Sequence, residues 1–102
     1  MLNIGLLGAG RIGITHAKAV QALPNAKIAK VFDPIDAAAE NAIALTGATR
    51  ASVDDIMADG NIHAVIIATP TDLHADQIEL AARAGKAVFC EKPVDLDADR
   101  VR

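Results

Sequence analysis

The chain has 102 residues, a formal net charge of −3, 52% hydrophobic but only 2% aromatic residues, and one cysteine, Cys90. That length suits one domain with its own core, and the acidic balance without a basic run argues against nucleic acid as a main partner. A single cysteine excludes an internal disulfide and fits a reducing compartment such as the cytoplasm; no apolar run approaches the roughly 18 residues of a membrane span, and a strand beginning at Leu2 leaves no room for a signal peptide.

The first predicted element is a buried strand carrying Leu2, Ile4, Leu6 and Leu7. Gly8-Ala9-Gly10-Arg11-Ile12-Gly13 follows it and matches G-x-G-x-x-G. Gly8 permits a sharp turn out of the strand, Gly10 lets a pyrophosphate approach the backbone, and Gly13 lets the next helix pack close. That helix, from about Gly10 to Leu23, presents free N–H groups and its positive dipole end to an anion. Ile12, His16, Ala19, Val20 and Leu23 fall on one helical face, which makes His16 a packed helix residue. Glycine turns are common, and packing alone is the other explanation for this one.

Pro24-Asn25 ends the helix, and Ile28, Ala29, Val31 and Phe32 form a second strand that stops at Asp33, 20 residues after Gly13. That is the offset at which an acid meets the ribose of a bound dinucleotide. A carboxylate there accepts both adenosine ribose hydroxyls and repels the 2′-phosphate of NADP. Pro34 and Ile35 supply no cation to offset that repulsion, so NAD is the expected cofactor. The competing role for Asp33 is a helix N-cap.

A second helix covers Asp36–Thr46, with Gly47 as its stop. Thr49–Ala51 reads as a short edge strand. Ser52 and Asp55 resemble a capping box for a short helix through about Met57. Asp59-Gly60-Asn61 is a turn, and His63 is expected to be exposed and without a role. Ala64–Ala68 is apolar throughout, as a central parallel strand covered on both faces should be. Thr69-Pro70-Thr71-Asp72 leaves its carboxyl end, where strands of a doubly wound sheet line the ligand crevice. Thr69 and Pro70 are therefore candidate cofactor contacts, a plain strand-to-helix turn being the alternative.

A further helix runs from His74 to Ala84 and stops at Gly85, with His74, Ile78, Ala81 and Ala82 on one face. His74 lies near the crevice; capping and cofactor contact are equally compatible with it. Ala87–Cys90 is the last strand, with Glu91-Lys92-Pro93 directly off its end. Cys90 reads as a buried small hydrophobe, and no metal-ligand spacing is present. The alternation predicts an α/β, Rossmann-type doubly wound parallel sheet of order 3-2-1-4-5. The whole of 1–102 forms one dinucleotide-binding domain.

Gly8–Gly13, Ala68-Thr69-Pro70 through His74, and Glu91-Lys92-Pro93 together resemble the amino-terminal domain of the Gfo/Idh/MocA oxidoreductases, with the inositol 2-dehydrogenase branch most similar. The likeness covers essentially the whole chain, and Glu-Lys-Pro is its more specific mark. It implies that Thr69 and Pro70 line NAD, that Glu91 supports Lys92, and that Lys92 is catalytic, contacting both the nicotinamide side of NAD and the reacting hydroxyl; Gly8, Gly10, Arg11, Ile12, Gly13, Asp33, His74 and Glu91 are the further candidate cofactor contacts. The implied reaction is hydride transfer from a polyol or sugar hydroxyl to NAD. Such chemistry needs a charge to stabilise a developing alkoxide, which Lys92 can supply, and a proton acceptor. Without the resemblance, a solvated strand-end cation explains Lys92 equally well.

The resemblance implies an Asp-and-His pair, the His accepting the proton, in a carboxyl-terminal domain that residues 1–102 are not expected to include. A truncated domain is therefore expected: it binds NAD, is inactive alone, and self-associates through bare sheet edge and apolar surface. Two other functions compete: a non-catalytic dinucleotide-binding module, and a methyltransferase-like nucleoside binder. Glu91-Lys92-Pro93 speaks against the second of these.

Overall fold

The structure, a computed structural model, describes residues 2–69 and 71–90. Along the chain come β1 (Leu2–Leu7), α1 (Arg11–Gln21), β2 (Ala26–Phe32), α2 (Asp36–Thr46), β3 (Thr49–Arg50), α3 (Val53–Ala58), β4 (Ala64–Ile67), a 3₁₀ turn (Thr71–Leu73), α4 (His74–Arg83) and β5 (Ala87–Cys90). The strands pair in parallel in the order β3-β2-β1-β4-β5, as the alternation predicts. Among the described residues, no helix is long and apolar enough to cross a membrane.

Side-chain alternation along β1 and β4 sorts the interior into two cores. Ile4, Leu6 and Ile66 pack with Ala17 and Val20 of α1, Ile28 and Val31 of β2, and Ala42 of α2. Leu7, Val65 and Ile67 pack with Ile56 of α3 and Ala81 of α4. Covering both faces is why these strands read as unbroken apolar runs. Leu6, Leu7 and Ile67 are fully buried, and each such side chain contributes about 1.5–3 kcal/mol relative to exposure.

Local signals act where the sequence puts them. Gly47 closes α2 in the left-handed region at φ 75°. Ser52 Oγ accepts the Asp55 N–H at 3.0 Å and caps α3. Asp59 Oδ1 accepts from Asn61 N at 2.8 Å, which fixes the turn before β4. Asp59 also pairs with Lys30 at 2.7 Å, and the hydrogen bond from Lys30 leads the causes that hold its carboxyl below the usual carboxylate range.

Two groups tie the amino ends of the strands. Lys86 is buried before β5, its ammonium donating to the carbonyls of Asp59 and Ile62 at 2.8 and 2.7 Å. His63 is exposed, but it has a role: its Nδ1 accepts the Asn3 N–H at 3.1 Å and joins the start of β1 to the residue before β4. The carboxyl ends, by contrast, open into the loops that form the candidate site.

Two helices are rotated from the faces the periodicity predicts, each keeping one predicted residue, Val20 and Ala81, buried. α1 buries Gly13, Ala17 and Val20, while Ile12 is 44% and Leu23 52% exposed. Close contact between Gly13 and the β1 turn draws that side of the helix inward. His16, Ala19, Val20 and Leu23 instead line an open apolar groove with Leu2, Ile4 and Phe89. The rings of His16 and Phe89 meet there edge to face, 6.1 Å apart. α4 buries Gln77 and Ala81 and exposes Ile78 and Ala82, because the Gln77 amide is recruited by Thr69.

Candidate dinucleotide-binding site

Three loops converge at the carboxyl end of the sheet. The one after β1 turns at Gly8, whose φ is +96°. A Cβ there would lie 2.7 Å from the Ala68 carbonyl and 2.9 Å from Thr69 N, so the β1 and β4 loops touch through a glycine. Gly8 N also donates to Phe32 O at 2.7 Å, tying the same turn to the end of β2. Gly13 packs so closely on Gly8 that any Cβ would collide with the Gly8 carbonyl oxygen.

Gly10 differs from both, having nothing within 4 Å of the place a Cβ would occupy. It is the N-cap of α1, with no side-chain cap and no acid in the first turn. The helix therefore begins at open space with its N–H groups uncapped by side chains, which suits an anion. Arg11 and Ile12 are both exposed at this helix start.

Asp33 stands beside this opening and is only 8% exposed. Its Oδ2 accepts the Ala9 N–H at 2.7 Å and its Oδ1 the Ile35 N–H at 2.8 Å. The carboxylate is thus locked to the glycine turn. A carboxylate has about four acceptor positions, so two remain for hydroxyl donors. The capping role is not the one observed, since α2 has Ile35 as N-cap and no side-chain cap.

Thr69 is buried and its hydroxyl donates to the Gln77 amide oxygen. The Thr69 carbonyl meets His74 Nε2 at 2.6 Å, and Cys90 Sγ lies 3.3 Å from His74 Nδ1. A carbonyl only accepts, so Nε2 donates to Thr69 O. His74 therefore has committed partners, joining the β4 loop to the end of β5. Cys90 is half-buried, packs at the margin of the second core and also makes this polar contact. Pro70, Glu91, Lys92 and Pro93 lie outside the described residues.

Sequence reading missed one cation. Arg50, at the end of edge strand β3, donates from Nη2 to the Asp33 carbonyl at 3.0 Å and pairs through Nη1 with Asp36 at 2.8 Å. The residues following Asp33 offer no positive charge, but the fold brings one from 17 positions away. Only the sheet order, with β3 beside β2, could have signalled it.

An uncapped helix N-terminus at an open glycine, beside a carboxylate with spare acceptor capacity at the end of β2, defines a dinucleotide-binding Rossmann domain. The model of the Gfo/Idh/MocA family, described as "Oxidoreductase family, NAD-binding Rossmann fold", matches residues 2–102, and the chain belongs to that family. An inositol 2-dehydrogenase from Rhizobium meliloti (strain 1021) is 55% identical over 99% of this chain and 31% of its own length. A crystal structure from Sinorhizobium meliloti 1021 superposes with a TM-score of 0.88 at 55% identity, covering 100% of this chain and 31% of that one. A scyllo-inositol dehydrogenase from Lactobacillus casei, with NAD(H) and scyllo-inositol bound, is 34% identical with a TM-score of 0.83, covering 99% and 31%. The chain thus spans about a third of the length of these relatives.

Proposed function

We propose that residues 1–102 are the NAD-binding part of a cytoplasmic enzyme that oxidises a hydroxyl of a polyol or sugar, inositol being the substrate the relatives favour. The observation that carries this reading is the Asp33 carboxylate, fixed by Ala9 N–H and Ile35 N–H next to the open turn at Gly10. Bound NAD supplies the hydride acceptor. Gly10 and the first turn of α1, with Arg11 and Ile12, hold the pyrophosphate; Asp33 takes the adenosine ribose hydroxyls. Thr69 and Pro70 line the cofactor, and His74 positions Thr69 by holding its carbonyl. Glu91 supports Lys92, which acts at the reacting hydroxyl. The lone cysteine supports the reducing compartment.

Cofactor titration tests the reading. NADH should bind more tightly than NADPH, because a 2′-phosphate would face the Asp33 carboxylate. Asp33→Ala should lower NADH affinity about tenfold or more, the size of losing a hydrogen bond to a charged group, and so narrow the preference. Tighter binding of NADPH by the unaltered chain would refute it.

Self-association belongs to the same proposal. β5 is an edge of the sheet among the described residues, and Phe89 on it is exposed beside the groove that Leu2 and Leu23 line. Sedimentation velocity should show species heavier than one chain as concentration rises; a single monomer at all concentrations would contradict this.

A further inference from the structure

We propose that Asp36 and Arg50 tune the choice between NAD and NADP, with Asp36 withholding from a 2′-phosphate the cation that the fold has placed at Asp33. The inference rests on the NAD-binding reading above. Arg50 is anchored where it matters: its backbone pairs with Val31 in the sheet, and the next residue, Ala51, donates to Val31 O at 2.9 Å. Only its side chain is free to re-aim. The guanidinium binds the carbonyl of Asp33, not its carboxylate, whose two oxygens already accept from Ala9 and Ile35. Its other contact is the Asp36 carboxylate.

The charges decide the outcome. Asp33, Asp36 and Arg50 together carry one net negative charge, so an arriving phosphate meets repulsion although a guanidinium is at hand. The Arg50–Asp36 pair is itself weak, since the side chains are 41% and 79% exposed and exposed pairs add little stability. An arginine released from such a pair is suited to bidentate phosphate binding. Asp36 thus acts as a competing anion: it costs the fold little to lose and sets the selectivity of the pocket beside it.

The test is calorimetric titration of the 102-residue chain with NADH and with NADPH, for the unaltered protein, Asp36→Asn, Arg50→Gln and the double variant. Asp36→Asn should raise NADPH affinity about tenfold, the size of one charge-assisted contact, with NADH within about twofold of the unaltered chain. Arg50→Gln in the Asp36→Asn background should remove that gain. Asp36→Ser repeats the comparison with a side chain suited to a helix start, so a fold defect in one variant does not obscure the result. Unchanged NADPH affinity in both Asp36 variants, or a gain that survives Arg50→Gln, overturns the proposal while leaving NAD binding intact. Failure of the unaltered chain to bind NADH overturns the reading beneath it as well.

Discussion

Gly13→Ala is expected to unfold much of the population at temperatures where the unaltered chain is folded, whereas Gly10→Ala is expected to fold and lose its ligand. The two glycines belong to one motif but face different neighbours. A methyl at position 13 meets the carbonyl oxygen of Gly8, a backbone atom already held by the turn that packs on Ala68 and Thr69. Neither side can yield without shifting α1 off the sheet, so the cost lies at or above the usual overpacking range of about 1–3 kcal/mol. Small domains have only about 5–15 kcal/mol to lose, and Tm should fall by about 10 °C or more. At position 10 a methyl meets nothing within 4 Å, and φ −73° with ψ −162° is open to alanine. The cost there is limited to a poorer N-cap, about 1 kcal/mol. That methyl occupies the space proposed for the pyrophosphate, so NADH affinity should fall at least about tenfold. Thermal melts and NADH titrations on the pair separate the roles. A stable Gly13→Ala would mean that the helix can shift, and a Gly10→Ala chain that binds NADH normally would remove the phosphate role.

That contrast marks what could be read from residue types and what required the fold. Strand order, the glycine turn, Asp33 and the Gly47 stop follow from local chemistry: an apolar run, a missing Cβ, a carboxylate at a set distance. The buried sides of α1 and α4 do not. Apolar periodicity chose Ile12 and Ile78, but contact distance chose Gly13 and hydrogen bonding chose Gln77, a polar residue no hydrophobic pattern would select. A carboxylate at Asp33 could be read, yet its partner Ala9 N–H and the cation beside it could not, because one comes from the turn after β1 and the other from β3. His74 and Cys90 illustrate the same point. Each looked uncommitted by itself, and they are neighbours only because β5 lies beside β4 and α4 returns over them.

Lys92→Ala, made in the longer enzyme this domain is proposed to serve, should lower kcat by about 100-fold or more while leaving NADH affinity within a few-fold. Oxidising an alcohol needs a base for the hydroxyl proton and a positive charge near the oxygen as hydride departs. Lys92 follows directly on Glu91 in the Glu-Lys-Pro motif, and the resemblance to the family implies its proposed place at the reacting end of the cofactor. The pyrophosphate and ribose contacts assigned to Gly10 and Asp33 are made elsewhere, which is why binding and turnover should separate. Removing one charge-stabilising donor of this type typically costs about 100-fold or more. The 102-residue chain should meanwhile bind NADH and show no steady production of NADH from NAD and myo-inositol. Its own histidines are poor proton acceptors for the reaction: His63 is held at the amino end of the sheet by Asn3, His74 presents a protonated Nε2 to Thr69, and His16 packs against Phe89. Steady turnover by the short chain, abolished by Lys92→Ala, would place a complete active site within these residues. Unchanged kcat in the longer Lys92→Ala enzyme would reduce Lys92 to a solvated cation at the end of a strand.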